Sequence, residues 1–167
     1  MVALGVQGLP PSAGAAGAAF PFDRSLLPDN PAWELLGLVP VRVSDQEAVV
    51  EMPVERRHLQ MAGRVHGGFI ATLVDTAAGV AVVANTAPGT RHATIDLHVE
   101  FVHGATLESE RLRATARIRR IGRTVAFLSV DVVDARGELV AIGTASYHLM
   151  RPAEAGRADG SPQAGTA

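Results

Sequence analysis

The chain has 167 residues, a formal net charge of −2 and no cysteine. That length fits one domain, the charge balance leaves no basic footprint for nucleic acid, and the missing thiol excludes disulfides, thiolate zinc sites and a cysteine nucleophile. Apolar residues make up 47% of the chain but aromatics only 4%, so the core must be built from Val, Leu, Ile and Ala.

Residues 1–19 are rich in Ala, Gly and Pro and read as a disordered leader. No Lys or Arg precedes Arg24, so the positive start of a secretory signal is missing. The folded domain is expected over residues 20–152, with a tail of similar low complexity over 153–167. Pro31 to Leu38 predicts a short helix, with Asn30 as N-cap and Pro31 at the first helical position. Pro40 to Met52 is strand-like around a turn near Asp45-Gln46, and Glu55 to Arg64 is a polar loop.

Gly67 to Ala84 predicts the one long helix, stopped by Ala87-Pro88-Gly89. Its apolar run, Phe69 to Ala84, is broken by Asp75 and falls short of the ~18 residues a membrane span needs. No membrane is expected, and a cytoplasmic location follows by default. Four strands come next. In Ala93 to Val102, alternation puts Ile95, Leu97, Val99 and Phe101 on one face and Thr94, Asp96, His98 and Glu100 on the other. Arg111 to Ile121, Arg123 to Asp134 and Leu139 to Met150 follow, with hairpin turns at Gly122 and at Asp134-Ala135-Arg136-Gly137. Consecutive hairpins cannot make a parallel sheet, so the class is α+β, with a curved sheet wrapped around one apolar helix.

Two features of that helix carry chemistry. Asp75 lies in the middle of a segment apolar nearly all round, which is the pattern of a buried helix, and a buried carboxylate is costly unless paired. Either it lies on a narrow exposed stripe with Thr72, Thr76 and Gly79, or it is a general base or nucleophile in a partly dry cleft. Gly67-Gly68 opens the same helix after His66. This is either a tight loop-to-helix turn or a place where unpaired N–H groups polarise a carbonyl and hold the oxyanion. Asp75 lies seven residues beyond Gly68, a rise of about 10 Å. That is too far for both to serve one carbonyl within ~3–3.5 Å. Two such helices running antiparallel across a dyad would bring Asp75 of one chain to Gly67 of the other and create two equivalent composite sites.

The segments Gly63-Arg64-Val65-His66-Gly67-Gly68 and Ala71-Thr72-Leu73-Val74-Asp75 resemble the hotdog-fold acyl-coenzyme A thioesterases of the phenylacetate-degradation type. So do Thr94 to Phe101, Arg120-Ile121-Gly122-Arg123-Thr124, Val130 to Asp134 and Ala141 to Ala145; the likeness spans about Trp33 to Leu149. It implies a hotdog fold, dimers often paired into tetramers, and hydrolysis of a CoA thioester by water. It puts Asp75 in the role of base or nucleophile and the Gly67 N–H on the thioester carbonyl. His66 would orient the turn or add a hydrogen bond, and Thr94 would assist from the partner side. Many members carry Asn six residues before the His, and relatives that carry Gln pair it with Glu. Gln60 with Asp75 combines the two patterns, with an amide able to hold a water.

The resemblance also implies that Gly68, Arg120, Gly122, Arg123 and Thr124 meet coenzyme A, whose phosphates suit the planar guanidinium fork; coenzyme A is then part of the substrate, and no separate cofactor is expected. Arg111, Arg113, Arg117 and Arg119 read equally as a solvated strand face. His58, His92, His98, His103 and His148 show no tight metal spacing, so no metal site is expected. The competing readings are a non-catalytic acyl-CoA-binding hotdog module, a hotdog dehydratase or hydratase, whose Asp–His spacing nothing here matches well, and a structural oligomeric module.

Overall fold

The computed structural model describes residues 30–151. The leader and tail expectations, and the first ten residues of the expected domain, lie outside that range. Helix α1 (Pro31–Leu36) starts with Pro at its first turn and ends on Gly37, whose left-handed φ of 67° closes the helix by donating to Glu34 O. That stop comes two residues before the predicted Leu38. Strands β1 (Val39–Val43) and β2 (Glu47–Pro53) form a hairpin about the expected turn. A short 3-10 turn, Arg56–His58, then leads into helix α2 (Gly67–Ala84), whose bounds are those read from the sequence.

Strands β3 (Arg91–Phe101), β4 (Arg111–Ile121), β5 (Val125–Asp134) and β6 (Leu139–Met150) complete one sheet in the order β1-β2-β4-β5-β6-β3. All five pairings are antiparallel. Helix α2 packs against every strand of it. Leu73, Val74, Ala77, Ala78, Ala81 and Val82 of α2 are fully buried against Val50, Met52, Leu112, Ala114, Val132 and Val140 of the sheet region. By length and hydropathy α2 could cross a membrane, but the sheet covers its apolar face and makes it a core helix. Asn85 ends it, its amide donating to Ala81 O and across to Ser44 O in the β1–β2 turn.

The burial of α2 is not uniform. Thr72, Asp75, Gly79 and Val83 are half-buried and recur on one stripe, while Thr76 is 8% exposed. The stripe faces away from the sheet centre toward β3 and the open side. Among the described residues β3 pairs only with β6, so its other edge is free along an eleven-residue strand. Ile95 and Phe101 on β3 are more than half exposed. A long unblocked edge is a template for pairing with another chain.

Simple alternation along β3 fails at one point. The register with β6 shifts between Thr94 and Asp96, so Ile95 is the extra residue of a β-bulge. Thr94 pairs with Tyr147 and Leu97 with Ala145, both inward-facing on β6. The bulge therefore moves Thr94 onto the helix face that Leu97 and Val99 share, and exposes Ile95 (57%) instead. Unbroken period-two alternation puts each of these two residues on the other face.

Candidate active site

The site begins with what the bulge and β6 deliver to Asp75. Thr94 Oγ1 donates to Asp75 Oδ1 at 2.9 Å. Tyr147, 2% exposed, places its hydroxyl 2.6 Å from the same Oδ1 and 2.7 Å from the Asp75 carbonyl oxygen. Both donors converge on one carboxylate oxygen. Among the described residues nothing hydrogen-bonds Oδ2, which is thus the oxygen free to take a proton or attack a carbon. Burial first, and then the bond to Asp75, push the Tyr147 phenol above its ordinary range, so it stays a neutral donor. Tyr147 was not among the residues expected from the sequence. It is the only tyrosine in the chain, and it falls on the inward set of β6 with Ala145 and Leu149. A buried phenol needs a partner, and that was the available signal.

The second group is at the start of α2. His66 is the N-cap, and its Nδ1 accepts from the Gly68 N–H at 3.0 Å. Accepting there leaves the neutral ring with its proton on Nε2. Phe69 and Ile70 donate to the His66 carbonyl. Among the described residues the Gly67 N–H donates to nothing. One backbone donor at the positive end of the helix is therefore left open, and it belongs to Gly67, since the Gly68 donor is spent on the cap. A Cβ at Gly67 would lie 3.0 Å from Phe101 Cζ, so glycine is what lets the turn sit under that ring.

The loop before the turn is tied down from several sides. Buried His58 receives the Glu55 N–H on Nδ1 at 3.1 Å, and its carbonyl accepts from the His66 N–H. Burial, helped by the neighbouring Arg57 charge, lowers the His58 pKa. Arg64 reaches the Gly104 carbonyl at 3.2 Å and lies where a side chain at 104 would be. Gln60 turns inward on its own loop, its Oε1 accepting from the Ala62 N–H at 2.7 Å. It lines a separate cleft with Arg56, Leu59, Met61, Gly63 and Leu107. Among the described residues no hydrogen bond joins Gln60, His66 or Gly67 to Asp75.

Beside Asp75 opens a cavity of about 240 Å³, running along α2 past Gly79 to Val83. His92 and Tyr147 stand on its sheet side and Trp33 of α1 over it. The His92 and Tyr147 rings are 5.7 Å apart. Burial lowers the His92 pKa against the opposing pull of the Asp75 charge.

The arginine-rich strand divides in two. Arg113 and Arg117 pair with Glu51 and Asp131 at 2.6 Å each, and Arg119 donates to Ser129 at 2.8 Å, as a solvated strand face would. At the β4–β5 turn, the exposed Arg120 and Arg123 make no side-chain hydrogen bond or ion pair among the described residues. Arg151 lies against this turn, donating to the carbonyls of Gly122 and Arg123 at 3.2 and 3.1 Å. It adds a third guanidinium, from outside the segment expected to meet coenzyme A. Thr124 holds the turn by accepting, through its carbonyl, from the Leu149 N–H. Among the described residues no group of three His, Asp or Glu is placed to hold a metal.

Residues 62–141 match the family model of the thioesterase superfamily. Mouse acyl-coenzyme A thioesterase 13 is 34% identical over 110 residues, covering 65% of this chain and 77% of that one. AziG of S. sahachiroi, a crystal structure, is 32% identical with a TM-score of 0.71 over 74% of this chain and 98% of that one. A thioesterase from Haemophilus influenzae shares the fold, with a TM-score of 0.70 at 20% identity over 77% of this chain and 88% of that one. A carboxylate held on one oxygen, an open N–H at a helix start and these relatives lead to one conclusion: the chain belongs to the hotdog-fold acyl-coenzyme A thioesterase family and is a thioester hydrolase.

Proposed function

We propose that the chain hydrolyses acyl-CoA thioesters at sites shared between two copies of itself. The observation that carries this reading is the separation of two half-sites on one helix. The open Gly67 N–H and the free Asp75 Oδ2 are eight residues apart, a rise of about 12 Å, with no hydrogen bond between their groups. A dyad crossing α2 between them brings the Gly67 of one copy to the Asp75 of the other. The half-buried stripe of Thr72, Asp75 and Gly79 and the free β3 edge are the surfaces that such a pairing would cover.

In each composite site the Gly67 N–H donates to the thioester carbonyl and holds the oxyanion as the carbon becomes tetrahedral. Asp75 Oδ2 either takes the proton from an attacking water or attacks the carbon itself; Thr94 and Tyr147 fix the carboxylate through Oδ1 in both cases. The carbon–sulfur bond then breaks and coenzyme A leaves as the thiolate; in the first case it takes up the proton held by Asp75, and in the second water hydrolyses the acyl–Asp75 anhydride, freeing the acid, restoring the carboxylate and supplying the proton. His66 stands at the Gly67 side with its Nε2–H available to the same oxygen or to a water. The unpaired Arg120 and Arg123, with Arg151 beside them, form the cationic place for the nucleotide phosphates. Gln60 supports the loop that carries Gly67 through its bond to Ala62.

A module that only bound acyl-CoA would have no use for a carboxylate ordered on one oxygen and open on the other. Release of free thiol from a panel of acyl-CoAs tests the reading. Asp75→Ala should slow release at least about a hundredfold, the low end for loss of a general base. A folded Asp75→Ala variant that keeps wild-type rates would remove Asp75 from the chemistry.

A further inference from the structure

Gly67 and Gly68 bring no side chains with which the turn at the start of α2 can be packed, and glycine has the freest backbone of any residue. The direction of the open Gly67 N–H is therefore set by its neighbours. His66 supplies one restraint, with its Nδ1 on the Gly68 N–H. A Cβ at Gly68 would stand 3.1 Å from that Nδ1, so the second glycine leaves the ring its place. Yet the His66 side chain is exposed, and a single hydrogen bond is a weak hold on an exposed imidazole.

A row of three rings supplies the rest. Phe69, in the first turn of α2, meets the His66 ring edge-to-face at 6.0 Å between centroids, and the His58 ring at 5.6 Å. Both separations fall in the ~4.5–7 Å range that such pairs favour. His66 stands at the exposed end of the row and His58, fully buried, at the other. His58 is itself anchored. It is the third residue of a capping box, in which the Glu55 side chain takes the His58 N–H and the His58 Nδ1 takes the Glu55 N–H at 3.1 Å. Glu or Gln is the usual residue at that position and would close the box as well. The cap thus accounts for one ring nitrogen, and not for an aromatic ring buried against Phe69.

We propose that His58 is a positioning residue for the reaction: its ring, through Phe69, holds the His66 ring on the Gly68 N–H, so that the turn presents the Gly67 N–H alone to the thioester carbonyl. This rests on the thioesterase reading above. An oxyanion donor works only when aimed, and a displacement of ~1 Å can cost about a hundredfold. A buried ring at the far end of the row fixes that aim without touching substrate.

Two variants test it. His58→Gln keeps the capping box and deletes the ring. Phe69→Leu keeps an apolar filler at a half-buried position and breaks the row at its middle. On the best substrate of the acyl-CoA panel each should lower kcat about three- to tenfold, the loss of one edge-to-face contact, with KM within about twofold of wild type. Phe69→Tyr, which keeps the ring, should hold wild-type kcat. Made on top of Gly67→Pro, which has no donor left to aim, His58→Gln and Phe69→Leu should cost nothing further. A general loosening of the fold lowers the residual rate in that background too, so a further loss there overturns the proposal. So does wild-type kcat in folded His58→Gln and Phe69→Leu. Heteronuclear NMR of the full chain labelled at histidine reads the row without turnover. The His66 ring, identified by its loss in His66→Asn, should be a fixed Nε2–H tautomer in wild type and a mixture of tautomers in Phe69→Leu. An unchanged His66 signal overturns the proposal while leaving the hydrolase reading intact. Absence of thiol release from every thioester, in a folded protein, overturns the hydrolase reading and the catalytic use of the row together.

Discussion

Tyr147→Phe removes one oxygen atom from the site and leaves the ring that packs against His92. The hydroxyl lies 2.6 Å from Asp75 Oδ1 and 2.7 Å from the Asp75 carbonyl, so its loss frees the carboxylate from one of its two donors. Hydrogen bonds to charged groups contribute about 1.5–3 kcal/mol, and each 1.36 kcal/mol in the barrier is tenfold in rate. Thr94 remains on Oδ1 at 2.9 Å, which favours the lower end of that range. The expected result is a fall in kcat of about tenfold with KM little changed, because the hydroxyl orients the carboxylate and does not hold the nucleotide. The basic limb of the kcat/KM profile should be unmoved, since the buried phenol does not ionise in the assay range. Steady-state thiol release from pH 5 to 9 reads both. Wild-type kcat in a folded variant would refute the view that Oδ1 is held so that Oδ2 can work.

Thr94→Val should have a similar effect, and the double variant with Tyr147→Phe should cost more than the sum of the singles, since the last donor on Oδ1 is then gone. Gly67→Pro removes the open N–H at a position where proline suits the helix start, after a His66 already extended at ψ 131°, and adds a Cβ close to Phe101; it should lower kcat about a hundredfold or more, as measured by thiol release. Gly67→Ala keeps that N–H while making the same close contact with Phe101, so it should lose much less; equal losses would point to the ring and not to the donor. Mixing Gly67→Pro with Asp75→Ala chains should restore about a quarter of wild-type activity, because random pairing gives half heterodimers with one intact site of two; no recovery on mixing would sink the shared site. His58 and His92 are held neutral by burial, so their folded pKa values lie below the unfolded value of about 6.5. The unfolded chain then binds more protons as pH falls through that value, and the melting temperature should drop on acidification below about pH 6.5; His58→Gln should flatten that drop.

The element order and the bounds of α2 were legible because each rests on local pattern: Val-rich alternation for strands, Gly67-Gly68 for the helix start and Ala87-Pro88-Gly89 for its stop. Asp75 was legible as a polar break in an apolar helix. Tyr147 and His92 were not, because they reach Asp75 and the cavity only after β6 and β3 pair in a fixed register. Thr94 was named from the family likeness, yet strict period-two alternation puts it on the wrong face. One extra residue at Ile95 reverses the parity, and no residue type in Ala93-Thr94-Ile95-Asp96 marks a bulge the way a glycine would. Register is a property of two strands, and one strand read alone does not contain it.

The bulge also explains how the active carboxylate can be both ordered and open. An unbulged β3 would point Ile95 toward α2 when Leu97 does, placing a branched apolar side chain where Thr94 Oγ1 now meets Oδ1. The carboxylate would then keep Tyr147 alone and lose its orientation about the helix. With the bulge, the strand supplies a donor at Thr94 and returns to apolar packing at Leu97, three residues on, and then Val99. Phe101, on that same face, comes to lie over Gly67. One strand thus touches both half-sites of its own chain, the carboxylate through Thr94 and the open N–H through Phe101. A partner pairing along the free edge of β3 would be registered by the strand that positions both reacting groups, so on the proposed dyad assembly of the dimer and alignment of the two half-sites are a single geometric event.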